Sequence, residues 1–299
     1  MLIFHHNKIS LGGFELKIAV VTDSTAYLTE KQYQDNHIYR LPLSVVVNGE
    51  ALKEEVDITS EQYFDLIRDS EKLPTSSQPT IGDIESLFAE LAKDYDAVIS
   101  VHLSSKISGT YQSIASVGQY MEGIQVYPYD SGLSCTAQGY FALEAVRLVR
   151  EGASVQEIFH HFDHMQQSLK AFFVVDDLKN LVRGGRLSSG AASIGTLLKI
   201  KPILHFEDKQ IVVFEKIRTH KKALKRIEEL LGADAAKGYP IVSTIIHANV
   251  EEKALIWKEK LESLYPDVTF HLSYFGPVIG THLGEGALGM TWVEDFSKN

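Results

Sequence analysis

Six of the ten side chains in Ser104-Ser-Lys-Ile-Ser-Gly-Thr-Tyr-Gln-Ser113 carry a hydroxyl, and a single glycine sits among them. The stretch follows the apolar run Ala97-Val-Ile-Ser-Val-His-Leu103, which reads as a buried strand leading into a helix. A helix start presents unpaired N–H groups and the positive end of the helix dipole, which together suit an anion. Hydroxyls add donors to such a site without adding a full charge. One serine before a helix is adequately explained as a cap. Ser104, Ser105, Ser108 and Thr110 together exceed that need, and a small anion held by hydroxyls and backbone is the better reading.

The pattern recurs. Pro74-Thr-Ser-Ser-Gln-Pro-Thr80 precedes another helix, Thr22-Asp-Ser-Thr25 follows another apolar run, and Asp130-Ser131 follows a third. In a doubly wound sheet such strand ends converge on one edge, where ligands bind. Nucleophilic catalysis is a weaker alternative. No Gly-x-Ser-x-Gly elbow occurs, and His102, on the strand beside the cluster, reads as a packed or exposed bystander.

Other features point to less chemistry. Gly284-Glu-Gly-Ala-Leu-Gly289 matches a dinucleotide fingerprint by letter, but no βαβ unit follows it. Its glycines fit a close backbone approach better. The chain has no Gly-x-x-x-x-Gly-Lys-Ser/Thr loop for a nucleotide. His160, His161 and His164 share a helix, yet they lack the zincin glutamate and a third ligand, so a solvated face is expected and no metal. Arg186, after a Gly-Gly helix stop, and Arg218-Thr-His-Lys-Lys222 place cations in an acidic protein. They hint at an anionic ligand or an acidic partner surface.

The elements that must position these groups follow from length and pattern. A chain of 299 residues is long for one core, so two domains are expected. Strands at 17–22, 97–103 and 124–127 alternate with helices, the pattern of a doubly wound, mostly parallel α/β sheet over residues 17–167. Thr59-Ser-Glu-Gln62 predicts a capping box. Residues 168–299 read as a second α/β domain with a mixed sheet, opening with a hairpin across Glu207-Asp-Lys-Gln210. Residues 1–16 are a leader of unclear status without signal-peptide character. The net charge of −10 argues against nucleic acid, and the single cysteine, Cys135, rules out an intrachain disulfide. No apolar run approaches a membrane span, which leaves transient membrane contact open. A cytoplasmic protein is expected.

Taken in order, several stretches resemble the DegV family, the fatty-acid-binding subunits of bacterial fatty acid kinase. They are Val21-Thr-Asp-Ser-Thr-Ala26, Thr75-Ser-Ser-Gln-Pro79, Ser104 to Ser113, Asp130-Ser131, Leu181-Val-Arg-Gly-Gly-Arg-Leu187, Leu197-Leu-Lys-Ile-Lys-Pro202 and Gly276-Pro-Val-Ile-Gly-Thr-His-Leu-Gly284. The resemblance implies two α/β domains, a buried tunnel for a long-chain fatty acid, and a carboxylate at the domain interface. It assigns Ser108 with Gly109, and Thr75 or Ser76, to that carboxylate, with Arg186 and His282 beside it. Arg218 matches an arginine associated with docking the kinase. Glu285 stands where the family commonly has proline. On this reading the chain is a carrier and not an enzyme, with no catalytic residues, metal or cofactor. It presents fatty acid to a separate ATP-dependent kinase, which makes acyl-phosphate for phospholipid synthesis. The alternatives are a fatty-acid sensor or transport protein without a kinase and, more remotely, a stand-alone serine-dependent hydrolase.

Overall fold

The computed structural model describes residues 9–11, 14–68, 73–188 and 200–298. Most of the leader and Leu197-Leu-Lys199 lie outside the described residues. In chain order, β1 (Ile9–Leu11) and β2 (Phe14–Leu16) form an antiparallel ribbon. They are followed by β3 (Ile18–Asp23), α1 (Glu30–Asn36) and β4 (Ile38–Leu41). Next come β5 (Ser44–Val47), β6 (Glu50–Lys53), α2 (Ser60–Arg68) and β7 (Thr75–Ser77). The chain continues through α3 (Ile81–Leu91), β8 (Ala97–His102), α4 (Thr110–Gly118), β9 (Gln125–Asp130), α5 (Cys135–Arg150) and α6 (Val155–Ser168). Then follow β10 (Lys170–Val174), α7 (Lys179–Arg183), β11 (Ile203–Glu207), β12 (Gln210–Glu215) and α8 (His220–Ala235). The last elements are β13 (Ile241–His247), α9 (Glu251–Leu264), β14 (Val268–Tyr274), α10 (Pro277–Leu283) and β15 (Leu288–Glu294). No helix among the described residues is long and apolar enough to cross a membrane.

Two compact units emerge. The first comprises the described residues through Leu43 together with Gln78–His164. Its sheet runs β4-β3-β8-β9 with every pairing parallel. β3 and β8 are buried along their whole length, as parallel strands covered by helices on both faces must be. On one face Ala19, Val21 and Val98 pack with Ile84, Phe88, Ile114 and Val117 from α3 and α4. The strand order reverses between β3 and β8, so a crevice opens there at the carboxyl ends. The loops after these two strands carry Thr22-Asp-Ser-Thr25 and the hydroxyl-rich stretch.

The second unit comprises the described residues of Ser44–Ser77 and of 165–298. It holds a six-stranded sheet, β12-β11-β10-β15-β13-β14, antiparallel except between β13 and β14. A separate antiparallel sheet, β6-β5-β7, belongs to the same unit. The predicted hairpin is present, with Asp208 and Lys209 both at positive φ (47° and 67°), the geometry that suits a two-residue turn. The capping box also forms: Gln62 N–H donates to Thr59 Oγ1, and Thr59 N–H donates to Gln62 Oε1.

A contiguous division after residue 167 does not describe this packing. Residues 44–77 leave the first unit and return to it, because their partner surface is α10, more than 200 residues onward: Val278 N–H donates to Glu54 Oε2 across 224 positions. The unit change near the expected boundary falls within α6, between His164 and Met165.

Phe88 is fully buried in the α3–α4 core. Phe88→Ala should lower unfolding stability by about 3–5 kcal/mol, read as a lower urea midpoint with an unchanged slope.

Candidate functional site

In the first unit, candidate ligand groups lie on the chain leaving β8. Leu103 N–H donates to Asp23 Oδ2 (3.0 Å), and Ser104 N–H to the Leu133 carbonyl (2.7 Å). Ser105 donates to Asp130 through its N–H (3.1 Å) and its hydroxyl (2.6 Å). Ile107 and Ser108 both donate their N–H groups to the Ser104 carbonyl at 3.1 Å. Ser104 is buried and its Oγ accepts from Lys106 N–H. Two of the four hydroxyls singled out from sequence, Ser104 and Ser105, therefore shape the turn. The remaining two sit at the start of α4, where Ser108 Oγ lies 2.9 Å from Thr110 Oγ1 and accepts from Thr110 N–H at 3.3 Å. Gly109 occupies the N-cap position with no side-chain cap bond, and the first turn carries no acid. An open helix start with two hydroxyls beside it can donate to an anion.

Gly109 has a reason within the protein itself. A Cβ there would collide with the Gln78 amide oxygen, whose side chain is held by a 2.6 Å bond from Nε2 to Ser113 Oγ. Glycine at this position lets the Gln78 side chain approach the helix start.

Behind the turn lies a polar network that sequence reasoning missed. His102 is fully buried, with Nδ1 2.9 Å from Asp23 Oδ2 and Nε2 2.6 Å from Ser100 Oγ. Burial pushes the Asp23 carboxyl up, but hydrogen bonding and attraction from His102, with bonds from Thr25 and Leu103 N–H, hold it below its ordinary value. Ser100, His102 and Asp23 stand in the hydrogen-bond order of a hydrolase triad. Ser100, however, is 0% exposed and lies inside β8, so no carbonyl can reach its Oγ.

The second unit holds a separate set of its own. Ser76 Oγ lies 2.8 Å from His282 Nε2. Ser76 points inward from β7, while Thr75 and Ser77 on either side are exposed, as strand alternation demands. The sequence left Thr75 and Ser76 as equal candidates; only Ser76 meets His282. Burial first, and the Arg186 cation second, push the His282 imidazole down to about 4, so the ring is neutral near pH 7. Arg186 is half-buried and donates from Nη1 to the Gly184 carbonyl at 2.5 Å. A Cβ on Gly184 would lie 2.5 Å from His282 Nδ1, so the Gly-Gly stop makes room for the imidazole.

His282 is placed by α10, which the sequence reading did not assign as a helix. Pro277 starts it, the buried Glu54 carboxylate accepts from Val278 N–H at 2.8 Å, and Thr281 Oγ1 meets Tyr63 Oη at 2.7 Å. Gly284 and Gly286 then take positive φ (76° and 89°), and a Cβ on Gly286 would strike the Asp176 carboxylate. Close backbone approach is thus the role of these glycines. Glu285 accepts from Asn249 Nδ2 at 2.7 Å and lies 3.6 Å from Arg68. Arg218 is exposed immediately before Thr219, the N-cap of α8.

The three histidines of α6 line an open cleft of about 520 Å³ with Leu148, Ala153, Gln156 and Glu157. Among the described residues no cluster of three metal-capable side chains forms there or elsewhere.

Comparison with known proteins agrees with this architecture. The family model for uncharacterised proteins of the DegV family matches residues 17–295. Protein DegV of Bacillus subtilis (strain 168) is 52% identical over 278 residues, covering 93% of this chain and 99% of its own. A DegV domain-containing protein of Listeria innocua is 49% identical, covering 92% and 98%. Among solved structures, DegV, a fatty acid binding protein from Bacillus subtilis, superposes with a TM-score of 0.90 at 51% identity, covering 94% of this chain and all of the other. A fatty acid binding DegV family protein from Streptococcus agalactiae gives 0.85 at 34% identity, covering 94% and 99%. A DegV family protein from Thermus thermophilus, described for its fatty acid binding, gives 0.86 at 28% identity, covering 93% and 99%. With its motifs, its two-unit α/β fold and these relatives in agreement, the chain belongs to the DegV family.

Proposed function

We propose that this chain binds a long-chain fatty acid and holds its carboxylate with neutral donors. The second unit offers Ser76 and His282 with the Arg186 cation near them, and the first unit by itself offers Ser108 at the start of α4. The observation that carries the reading is the partly buried, neutral His282 bonded to Ser76 beside a half-buried arginine. Neutral donors near a single cation suit a carboxylate that must be held and later released to chemistry, where a bidentate arginine pair would lock it. At ~0.8 kcal/mol per methylene, burying a chain of about fourteen methylenes supplies roughly 11 kcal/mol before ordering costs, so the tail carries the affinity. Fatty acid binding by the solved relatives supports the ligand class.

The finer reading is that the chain is a carrier, not itself an enzyme. It presents the carboxylate to a separate ATP-dependent kinase and keeps the acyl-phosphate, with exposed Arg218 in the docking surface. The sequence carries no Gly-x-x-x-x-Gly-Lys-Ser/Thr loop, and on this reading the kinase brings the nucleotide.

Mass spectrometry of an organic extract of the purified protein should find about one fatty acid per chain, because a buried acyl tail supplies most of the affinity and dissociates slowly. Extracts free of lipid, with no uptake of added oleate or palmitate, would overturn the proposal. The carrier role has its own readout. With a fatty acid kinase and ATP, acyl-phosphate should form, and Arg218→Ala should slow that reaction while lipid content stays normal.

His282 gives a pH signature. Its imidazole titrates near 4 when folded and near its ordinary 6.5 when unfolded. Between those values the unfolded chain binds the extra proton, so stability falls as pH falls through this window. Thermal unfolding at pH 7.5 and pH 5.5 should show a smaller loss for His282→Gln than for the wild type. Equal losses would mean that residue 282 is not buried as a neutral ring.

A further inference from the structure

The carboxyl end of the four-stranded sheet holds buried polar groups that fatty acid binding does not explain. Asp23 ends β3 and His102 ends β8, on adjacent parallel strands. An ionised Asp23 can only accept, so His102 Nδ1 carries a proton toward it, while Nε2 lies 2.6 Å from the Ser100 hydroxyl. The other Asp23 oxygen, Oδ1, takes the Thr25 hydroxyl (2.5 Å) and N–H (3.1 Å). A second layer continues from Thr25 Oγ1 to Gln138 Oε1 (3.1 Å), from Gln138 Nε2 to Thr22 Oγ1 (3.0 Å), and on to the Val101 carbonyl (2.9 Å).

Such a network is a poor way to add stability, since well-packed apolar side chains of the same volume often do as well or better. Its distinctive product is geometry. Asp23 Oδ2 fixes the N–H of Leu103, the first residue after β8. The next residue, Ser104, supplies the carbonyl that receives the N–H of Ser108. One anion therefore sets where the turn departs, and the turn sets where Ser108 arrives. We propose that Asp23 and His102 are positioning residues that aim the Ser108 hydroxyl at the bound carboxylate. Both are fully buried, so they act through the turn and not by touching ligand. The inference rests on the fatty-acid reading above.

The test compares Asp23→Asn and Ser100→Ala with Val98→Ala, a core truncation on the same face of β8, two positions before Ser100 and outside the polar network. Asn at position 23 keeps the shape but replaces one acceptor oxygen with a donor. Ser100→Ala removes the hydroxyl that orients the imidazole. Release of bound oleate is measured by stopped flow, each variant at the same interval below its own melting temperature. Asp23→Asn should release oleate about tenfold faster than Val98→Ala, and Ser100→Ala about threefold faster, a tenfold change being ~1.4 kcal/mol. Amide hydrogen exchange should rise across Leu103–Ser108 while Ala97–Val101 stays protected. Release rates equal to the Val98→Ala control would overturn the proposal and leave the network a purely structural one. Should Asp23→Asn fail to fold, Ser100→Ala alone decides by the same criterion. A wild-type protein that takes up no oleate sinks both this inference and the fatty-acid reading; oleate uptake with unchanged variant release sinks only the positioning role.

Discussion

A carboxylate leaving water must find donors that replace its hydration, and each donor taken from the protein must itself be held in place. That constraint runs through both units of this chain. Hydroxyls, a neutral imidazole and helix N–H groups are weak donors singly, and they serve only if several arrive together. Ser76 is fixed by the alternation of β7 and by its bond to His282. The imidazole is kept neutral by burial and by the neighbouring arginine, and Gly184 leaves the space it fills. Ser108 is delivered by a turn whose N–H groups from Leu103 to Ser108 are all occupied within the protein.

The same constraint governs the protein's own buried carboxylates. Asp23 and Glu54 are both fully buried, and each is matched by donors from distant segments. Asp23 ties the ends of two adjacent strands, and Glu54 ties a short helix to residues that precede it by more than 200 positions. A buried anion without such partners would cost several kcal/mol, so these residues fix loops and helix ends firmly. The fold accordingly holds firm at the places where the candidate ligand groups emerge.

Much of this was legible in the sequence where the signal is local. The unbroken apolar runs at Ile18 and Ala97 marked strands buried on both faces, the Thr59–Gln62 spacing marked a capping box, and Asp208-Lys209 marked a hairpin. The hydroxyl clusters marked the ends of β3, β8 and β9 and the approach to α3, but not which hydroxyls face inward. That depends on strand register, and it separates Ser76 from Thr75. It depends also on backbone partners, which engage Ser104 and Ser105 within the turn. The role of Ser44–Ser77 was hidden because its partner, α10, is remote in sequence and reads locally as a glycine-rich loop. His102 was passed over because an isolated histidine in an apolar strand gives no sign of the Asp23 that meets it from the neighbouring strand.

The most direct test of the central claim is carbon NMR of the protein loaded with oleate labelled at its carboxyl. If neutral hydroxyls hold the carboxylate, the bound ligand should give one sharp resonance distinct from that of oleate in vesicles. Ser76→Ala and Ser108→Ala should each shift it, and Thr75→Ala should leave it in place. A carboxyl resonance that matches vesicle-bound oleate and ignores all three substitutions would contradict the account.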